Sequence, residues 1–284
     1  MRWEKLIKEN KPLVITGTIN AYSALLAERA GIQAIYLSGG GVANASYGLP
    51  DLAMTSREDV LEDVRRIRSA TELPLLVDID TGWGSALSIS RTIKEMISAG
   101  ASGVHIEDQV SEKRCGHRPN KEIVSCAEMV DRIKAAKDAQ TDDKFLLMAR
   151  TDAFAKDGLQ EVIDRSNAFI EAGAGAIFPE AISTLKDYEE ISKNVSMPIL
   201  ANITEFGMTP LFSHNDLADV GVKIVLHPLS AFRAMSKAAE KVYATLASGG
   251  DHEGLLHNMQ TRDELYDVLD YHMYEEKIDK LFEK

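Results

Sequence analysis

The chain has 284 residues, 45% of them hydrophobic and 27% charged, with a net charge of −12. That composition supports a sizeable core, and the acidic balance argues against nucleic acid or an anionic membrane as a partner, because both need a basic face. The two cysteines imply no disulfide framework. Met1-Arg2-Trp3-Glu4-Lys5 carries no apolar signal core and no run approaches 18 apolar residues, so a cytoplasmic protein is expected.

Short β-branched runs alternate with longer stretches of helical period. Pro12-Leu13-Val14-Ile15 opens as a strand, and 21–30 reads as a helix. Ala34-Ile35-Tyr36-Leu37 is followed by Ser38-Gly39-Gly40-Gly41, then by a helix from Ser56 with Val60, Val64 and Ile67 on one face. Ser56 and Asp59 are placed as a capping box, and Ser125 and Glu128 stand likewise before a later helix. Leu73–Asp78, Gly103–Ile106 and Phe145–Ala149 are the third to fifth strands, each followed by a helical pattern, the last over 159–172. Strands at 176–178, 198–201 and 223–226 complete the series, and a long helix runs over 229–247.

Gly31, Gly100, Gly173 and Gly221 each stand between a helix and the next strand, where a left-handed residue stops a helix. Eight strand–helix units with no break in composition predict a closed (β/α)8 barrel, and no G-x-G-x-x-G opens a helix to suggest an open doubly wound sheet. The whole of 1–284 is expected to be one barrel domain that includes a helical tail over about 255–284, packed on the barrel or on a neighbouring subunit.

Chemistry in such a barrel sits at the C-terminal ends of its strands. Those exits carry Ser38, Gly39 and Gly40; Asp78 and Asp80; His105, Glu107 and Asp108; Arg150 and Asp152; Glu180; Asn202 and Thr204; and His227. Asp78 and Asp80 are one residue apart, so in extended chain both carboxylates share a face. With Glu107 they make either an all-oxygen site suited to Mg²⁺ or a solvated pair with a capping aspartate. The glycine run offers backbone amides to an anion, or is simply a turn. Arg150, Arg233 and Arg262 are candidate carboxylate clamps or ordinary ion-pair arginines. Cys126 reads as a small packing residue.

Glu112-Lys113-Arg114-Cys115-Gly116-His117-Arg118-Pro119-Asn120 places a thiol among cations and an imidazole. Such surroundings favour thiolate, though a solvated basic loop would look the same. Together these residues suggest a metal-dependent barrel enzyme acting on a small polycarboxylate, with a thiol as acid or nucleophile.

Lys113-Arg114-Cys115-Gly116-His117 resembles the K-[KR]-C-G-H signature of the isocitrate and 2-methylisocitrate lyases, within the isocitrate lyase/phosphoenolpyruvate mutase superfamily. Tyr36–Gly41, Val77–Asp80, His105–Gln109, Met148–Asp152, Phe178–Ala181, Ala201–Glu205 and Met259–Arg262 look like family blocks, so the resemblance covers nearly the whole chain. It implies Mg²⁺-dependent retro-aldol-type cleavage of (2S,3R)-2-methylisocitrate to pyruvate and succinate, a step of the methylcitrate cycle in propionate catabolism. The nearest alternative is isocitrate lyase activity. A homotetramer with a helix-swapped barrel is implied as well. Carried over by position, Ser38, Gly39, Gly40, Asp78, Cys115, Gly116, Arg150, Glu180, Asn202, Ile203, Thr204, Arg233 and Arg262 would bind substrate. Asp78 and Asp80 would hold the metal, with Glu107 reaching it through water. Cys115 would be the general acid, tuned by His117 and Arg118, and Tyr36 the candidate for the hydroxyl proton. Phe178, Leu226 and Pro228 would line the methyl, and Lys113–Asn120 would form a lid.

Overall fold

The computed structural model describes residues 3–116 and 121–282. They divide into two compact units, the first ending at Ser230 and the second running from Ala231.

Eight strands form the first unit: β1 (Leu13–Gly17), β2 (Ile35–Leu37), β3 (Leu75–Asp78), β4 (Gly103–Glu107), β5 (Leu146–Thr151), β6 (Ala176–Pro179), β7 (Leu200–Asn202) and β8 (Ile224–His227). All pair in parallel, in the order β6-β5-β4-β3-β2-β1-β8-β7. A bridge between Ile177 and Ile199 joins the two ends, with Ile177 N–H donating to Pro198 O at 2.9 Å, so the sheet closes as the expected (β/α)8 barrel.

The period of two in each strand divides the apolar residues into two cores. Leu13, Ile15, Tyr36, Leu76, Met148, Phe178, Leu200, Ile224 and Leu226 cluster inside the barrel. Ile35, Leu37, Val77, Val104, Ala149, Ile177 and Val225 pack outward against the helices. A short helix that the hydrophobic pattern did not announce, Trp3–Glu9, sends Trp3 and Leu6 into the inner cluster. Trp3 also ties to the strand entrances, donating from Nε1 to Ser102 O at 2.8 Å. The N-terminal end of the barrel is thereby plugged, which leaves the C-terminal end for chemistry.

The local signals act as read. Ser56 and Asp59 form the capping box of helix Arg57–Arg68, and the Ser125 side chain accepts from Glu128 N–H at the head of helix Cys126–Asp138. Gly31, Gly100, Gly173 and Gly221 all have left-handed φ. The helix after β5 spans Phe154–Glu171 but breaks at Gly158, so its regular part begins where the periodicity places it.

The second unit comprises most of helix Ser230–Ala247, a 3₁₀ turn (Glu253–Asn258) and helices Arg262–Val268 and Tyr271–Leu281. Thr261 and Glu264 box the start of the third of these, and Tyr266 stacks on Tyr271 at 4.1 Å. Helix Ser230–Ala247 is amphipathic in sequence, yet none of its residues is buried. No helix among the described residues is long and apolar enough to cross a membrane.

Candidate active site

The inward register of the strands carries straight into polar side chains at the C-terminal mouth. Tyr36 on β2, Asp78 on β3, His105 and Glu107 on β4, Arg150 on β5, Phe178 with Glu180 beyond it on β6, and Asn202 on β7 all alternate inward, and all are buried. Their exclusion from water makes each charge matter, because a buried ion must be paired or neutralised.

Arg150 is the hub. Its Nη1 lies 3.1 Å from Glu107 Oε2, its Nε and Nη2 lie 3.0 and 3.2 Å from the two Asp152 oxygens, and Nη2 lies 3.4 Å from Glu180 Oε2. The guanidinium also stacks over Phe178, 5.3 Å from the ring centre. Burial alone would discharge it, but the three acids hold its pKa well above the ordinary arginine value. Asp152 is shared with Lys121, 2.5 Å away, and its amide donates to Asp108, which also accepts from Thr151 Oγ1 and Arg165. Asn202 donates to both oxygens of Glu180 at 3.3 Å.

The carboxyls of Asp78 and Asp80 are shifted in opposite directions. Burial pushes Asp78 up, but His105, Lys113 and Arg150 outweigh it and hold the carboxyl at about 2. Burial also raises Asp80, and with Asp78 beside it Lys113 does not compensate, leaving it at about 6. Burial drives Glu107 well above the carboxylate range despite Arg150. His105 is pushed down to about 4 by burial and so is neutral. Its Nε2 lies 2.9 Å from Tyr36 Oη, which also reaches Asp78 Oδ2 at 3.4 Å. Burial and Asp78 together raise the Tyr36 phenol well above its ordinary value.

The carboxylates suit a hard cation. Asp78, Asp80 and Glu107 are three buried carboxyl groups at the exits of neighbouring strands, and Glu107 Oε1 is buried with no hydrogen-bond partner. Among the described residues no three His, Cys, Asp or Glu side chains converge as a ready-made cage. Few protein oxygens completed by water is the donor set Mg²⁺ favours. The amide of Gly39 donates to Asp78 Oδ2 at 3.1 Å, so part of the glycine run serves the carboxylate. Ser38 caps a single helical turn, Gly39–Gly41, which passes into a π turn over Val42–Ser46.

The cysteine segment lies against this cluster. Lys113 Nζ stands 2.7 Å from Asp51 Oδ1 and 2.6 Å from Asp80 Oδ1. A Cβ on Gly116 would fall 2.5 Å from Glu180 Oε2 and closer still to Arg150 Nη2, so only glycine fits there. Cys115, half-buried, sits between these two anchored neighbours. His117, Arg118 and Asn120 lie outside the described residues.

Ile203 and Thr204 are buried beyond β7, and Ile203 N–H donates to Leu226 O at 2.8 Å. Arg233 and Arg262 belong to the second unit, on helix Ser230–Ala247 and at the first position of helix Arg262–Val268. Cys126 packs against the outer core as expected. Asp51, Lys121, Arg165 and Gln109 escaped the sequence reading. Asp51 lies in a loop with no motif, Lys121 and Arg165 stand far in sequence from Asp152 and Asp108, and Gln109 bonds backbone groups, which no side-chain pattern marks.

A family model described as phosphoenolpyruvate phosphomutase matches residues 3–247. The 2-methylisocitrate lyase of Vibrio cholerae serotype O1 is 60% identical over 282 residues, covering 97% of this chain and 92% of the relative. The chain belongs to the 2-methylisocitrate lyases of the phosphoenolpyruvate mutase/isocitrate lyase superfamily. The Escherichia coli (strain K12) 2-methylisocitrate lyase is 59% identical over 278 residues, covering 98% of this chain and 94% of the relative. Among solved structures, a phosphonopyruvate hydrolase in complex with oxalate and Mg²⁺ superposes with a TM-score of 0.85 at 28% identity, over 98% of this chain and 97% of that one. The fold is shared with enzymes of different chemistry, so the site residues carry the distinction.

Proposed function

We propose that this protein cleaves (2S,3R)-2-methylisocitrate to pyruvate and succinate. The observation that carries this reading is the seating of Lys113 on Asp80 and of Gly116 against the Arg150–Glu180 pair, two contacts that flank Cys115 at the mouth of the site. Full-length identity to enzymes of that name supports it over isocitrate cleavage.

The bond between the hydroxyl-bearing carbon and its neighbour breaks. The hydroxyl proton leaves, that carbon becomes the carbonyl of pyruvate, and the electron pair passes to the succinate fragment, which takes up a proton. Cys115 delivers that proton as general acid. Tyr36, hydrogen-bonded to His105, is the phenol we assign to relay the hydroxyl proton, taking it up as its own phenolic proton passes to the neutral His105 imidazole. Arg150, kept cationic by its three acids, stabilises charge gathering on a carboxylate of the succinate half, and Asn202 and Thr204 stand at the exit of β7. Arg233 and Arg262 are assigned as further clamps by the family resemblance alone. Ser38, Gly39, Gly40, Gly116, Glu180 and Ile203 complete the substrate contacts. Phe178 and Leu226, both in the inner apolar cluster, form with Pro228 the wall that receives the methyl group.

Asp78 and Asp80 would hold Mg²⁺, with Glu107 acting through water, and its charge would favour loss of the hydroxyl proton. The Mg²⁺ of the phosphonopyruvate hydrolase structure supports this choice of ion. The reading extends to a cytoplasmic homotetramer that exchanges a C-terminal helix between barrels, and to the methylcitrate cycle of propionate catabolism. Helix Ser230–Ala247 supports an exchange, since Met235, Tyr243 and Leu246 are left exposed on it. It also extends to a single functional domain of 1–284.

The test is release of pyruvate from 2-methylisocitrate and of glyoxylate from isocitrate, with Mg²⁺ and with chelator. One methyl group in an apolar pocket discriminates by ~1–3 kcal/mol, so pyruvate release is expected to be favoured by roughly 10–200-fold. No pyruvate release, or faster glyoxylate release, would contradict the assignment.

A further inference from the structure

Gln109 is fully buried and stands just past the metal-facing end of β4, yet the reaction described above gives it nothing to do. Its side chain reaches five residues forward and brackets the backbone of one residue of the cysteine segment. Nε2 donates to Arg114 O at 2.9 Å, and Oε1 accepts from Arg114 N–H at 3.0 Å. The two partners fix the orientation of the carboxamide, because only oxygen can accept from the N–H and only nitrogen can donate to the carbonyl.

The bracket is itself rigidly mounted. Gln109 forms an antiparallel bridge with Ile123, Val110 N–H donates to Glu122 O at 3.1 Å, and Val124 N–H donates to Asp108 O at 2.8 Å. These three links make a short two-stranded stem from which the cysteine segment projects. Arg132 Nη1 donates to the carbonyls of both Glu107 and Gln109, at 3.2 and 2.9 Å, and so locks the stem to helix Cys126–Asp138. Arg114 is the residue immediately before Cys115. A buried side chain that holds both backbone groups of that residue therefore sets where the thiol begins.

We infer that Gln109 is a positioning residue whose carboxamide latches the backbone of Arg114 and thereby fixes the position of Cys115, the next residue. The role of Cys115 as acid rests on the proposed function; the latch itself does not. Glutamate at 109 is isosteric and keeps the acceptor for Arg114 N–H, but sets an oxygen against Arg114 O. Methionine at 109 keeps the approximate volume and removes both bonds. Loss of a buried bracket leaves the Arg114 N–H and C=O without that partner, and a thiol displaced by about an ångström is enough to cost on the order of 10²-fold in rate.

The chain contains only two cysteines, and Cys126 lies on helix Cys126–Asp138, outside the bracketed segment. Alkylation of ligand-free protein by a small neutral reagent, with both sites followed by mass spectrometry, therefore reports the latch and the fold separately. Gln109→Glu and Gln109→Met are expected to change the rate at Cys115 by about tenfold or more while the rate at Cys126 stays at the wild-type value. Both variants are also expected to lower kcat with a smaller change in KM. An unchanged ratio of the two alkylation rates in both variants would overturn the latch, whatever the substrate proves to be. Equal acceleration at both cysteines would also overturn it, since that pattern marks general loosening. If pyruvate release fails in the wild-type protein while the selective alkylation change persists, the functional reading falls and the latch stands.

Discussion

Lys113 Nζ lies 2.6 Å from Asp80 Oδ1, so the cysteine segment brings its own cation to the second carboxylate of the Asp78-Ile79-Asp80 pair. The ammonium is itself buried, and its pKa is held well above the ordinary lysine value against the cost of burial by Asp80, Glu107, Asp78 and Asp51. A divalent ion at the proposed Asp78–Asp80 site would therefore draw on the same carboxylates as Lys113. Lys113→Met is expected to raise Mg²⁺ affinity in the absence of substrate by about tenfold, the scale of one partly screened charge, while lowering turnover. Calorimetric titration checks this, and unchanged affinity would separate the ammonium from the metal.

Gly116 has no room for a side chain against Arg150 and Glu180. Gly116→Ala is expected to melt at the wild-type temperature, because the segment is peripheral to the core, yet to lose about 10²-fold in kcat/KM. Parallel melting and steady-state measurements decide the point. Wild-type kcat/KM would show that the segment does not need this close approach.

Asp152 is fully enclosed between Arg150 and Lys121, and those cations hold its carboxyl below the usual range although burial opposes them. Asp152→Asn leaves two buried cations short of a counter-charge. Removing one partner of a buried pair costs about 3–5 kcal/mol, and a loss of that size in urea denaturation is expected.

His105 is neutral and buried, with a pKa of about 4 against about 6.5 for an exposed imidazole. The unfolded chain therefore binds a proton that the folded chain refuses, and this group withdraws stability as pH falls from about 6.5 towards 4. The loss is about 3 kcal/mol at most. Asp80 and Asp108, each raised to about 6, act in the opposite sense, since the folded chain holds their protons more tightly. Comparison of His105→Asn with wild type isolates the histidine: the difference in stability is expected to shift in favour of the variant between pH 7 and pH 4.5 in metal-free protein. A pH-independent difference would mean that His105 does not titrate as its burial dictates.

Legibility in the sequence followed the range of the interactions. The barrel is readable because each unit announces itself locally, through short apolar runs such as Leu75–Asp78, the capping box at Ser56, and the left-handed glycines at 31, 100, 173 and 221. Asp78, Asp80, Glu107 and Arg150 were readable for the same reason, since the inward face of a strand continues into its exit. Partnership was not. Nothing near Asp51 marks it as a partner of Lys113, 62 positions away, and Arg165 meets Asp108 across 57. Helix Trp3–Glu9 was missed because only two of its residues are buried, too few to set up a helical period. The glycine run reads either as an anion cradle or as a turn, and its local sequence does not show that Asp78, 39 residues on, takes the Gly39 amide.

The most direct test of the account is cleavage of 2-methylisocitrate by Cys115→Ser. Serine preserves the size of the side chain but is a far weaker acid. The variant is expected to fold and to bind succinate as the wild-type protein does, while pyruvate release falls by about 10²–10⁴-fold, the contribution of a positioned general acid. Pyruvate release at or near the wild-type rate in that variant would contradict it.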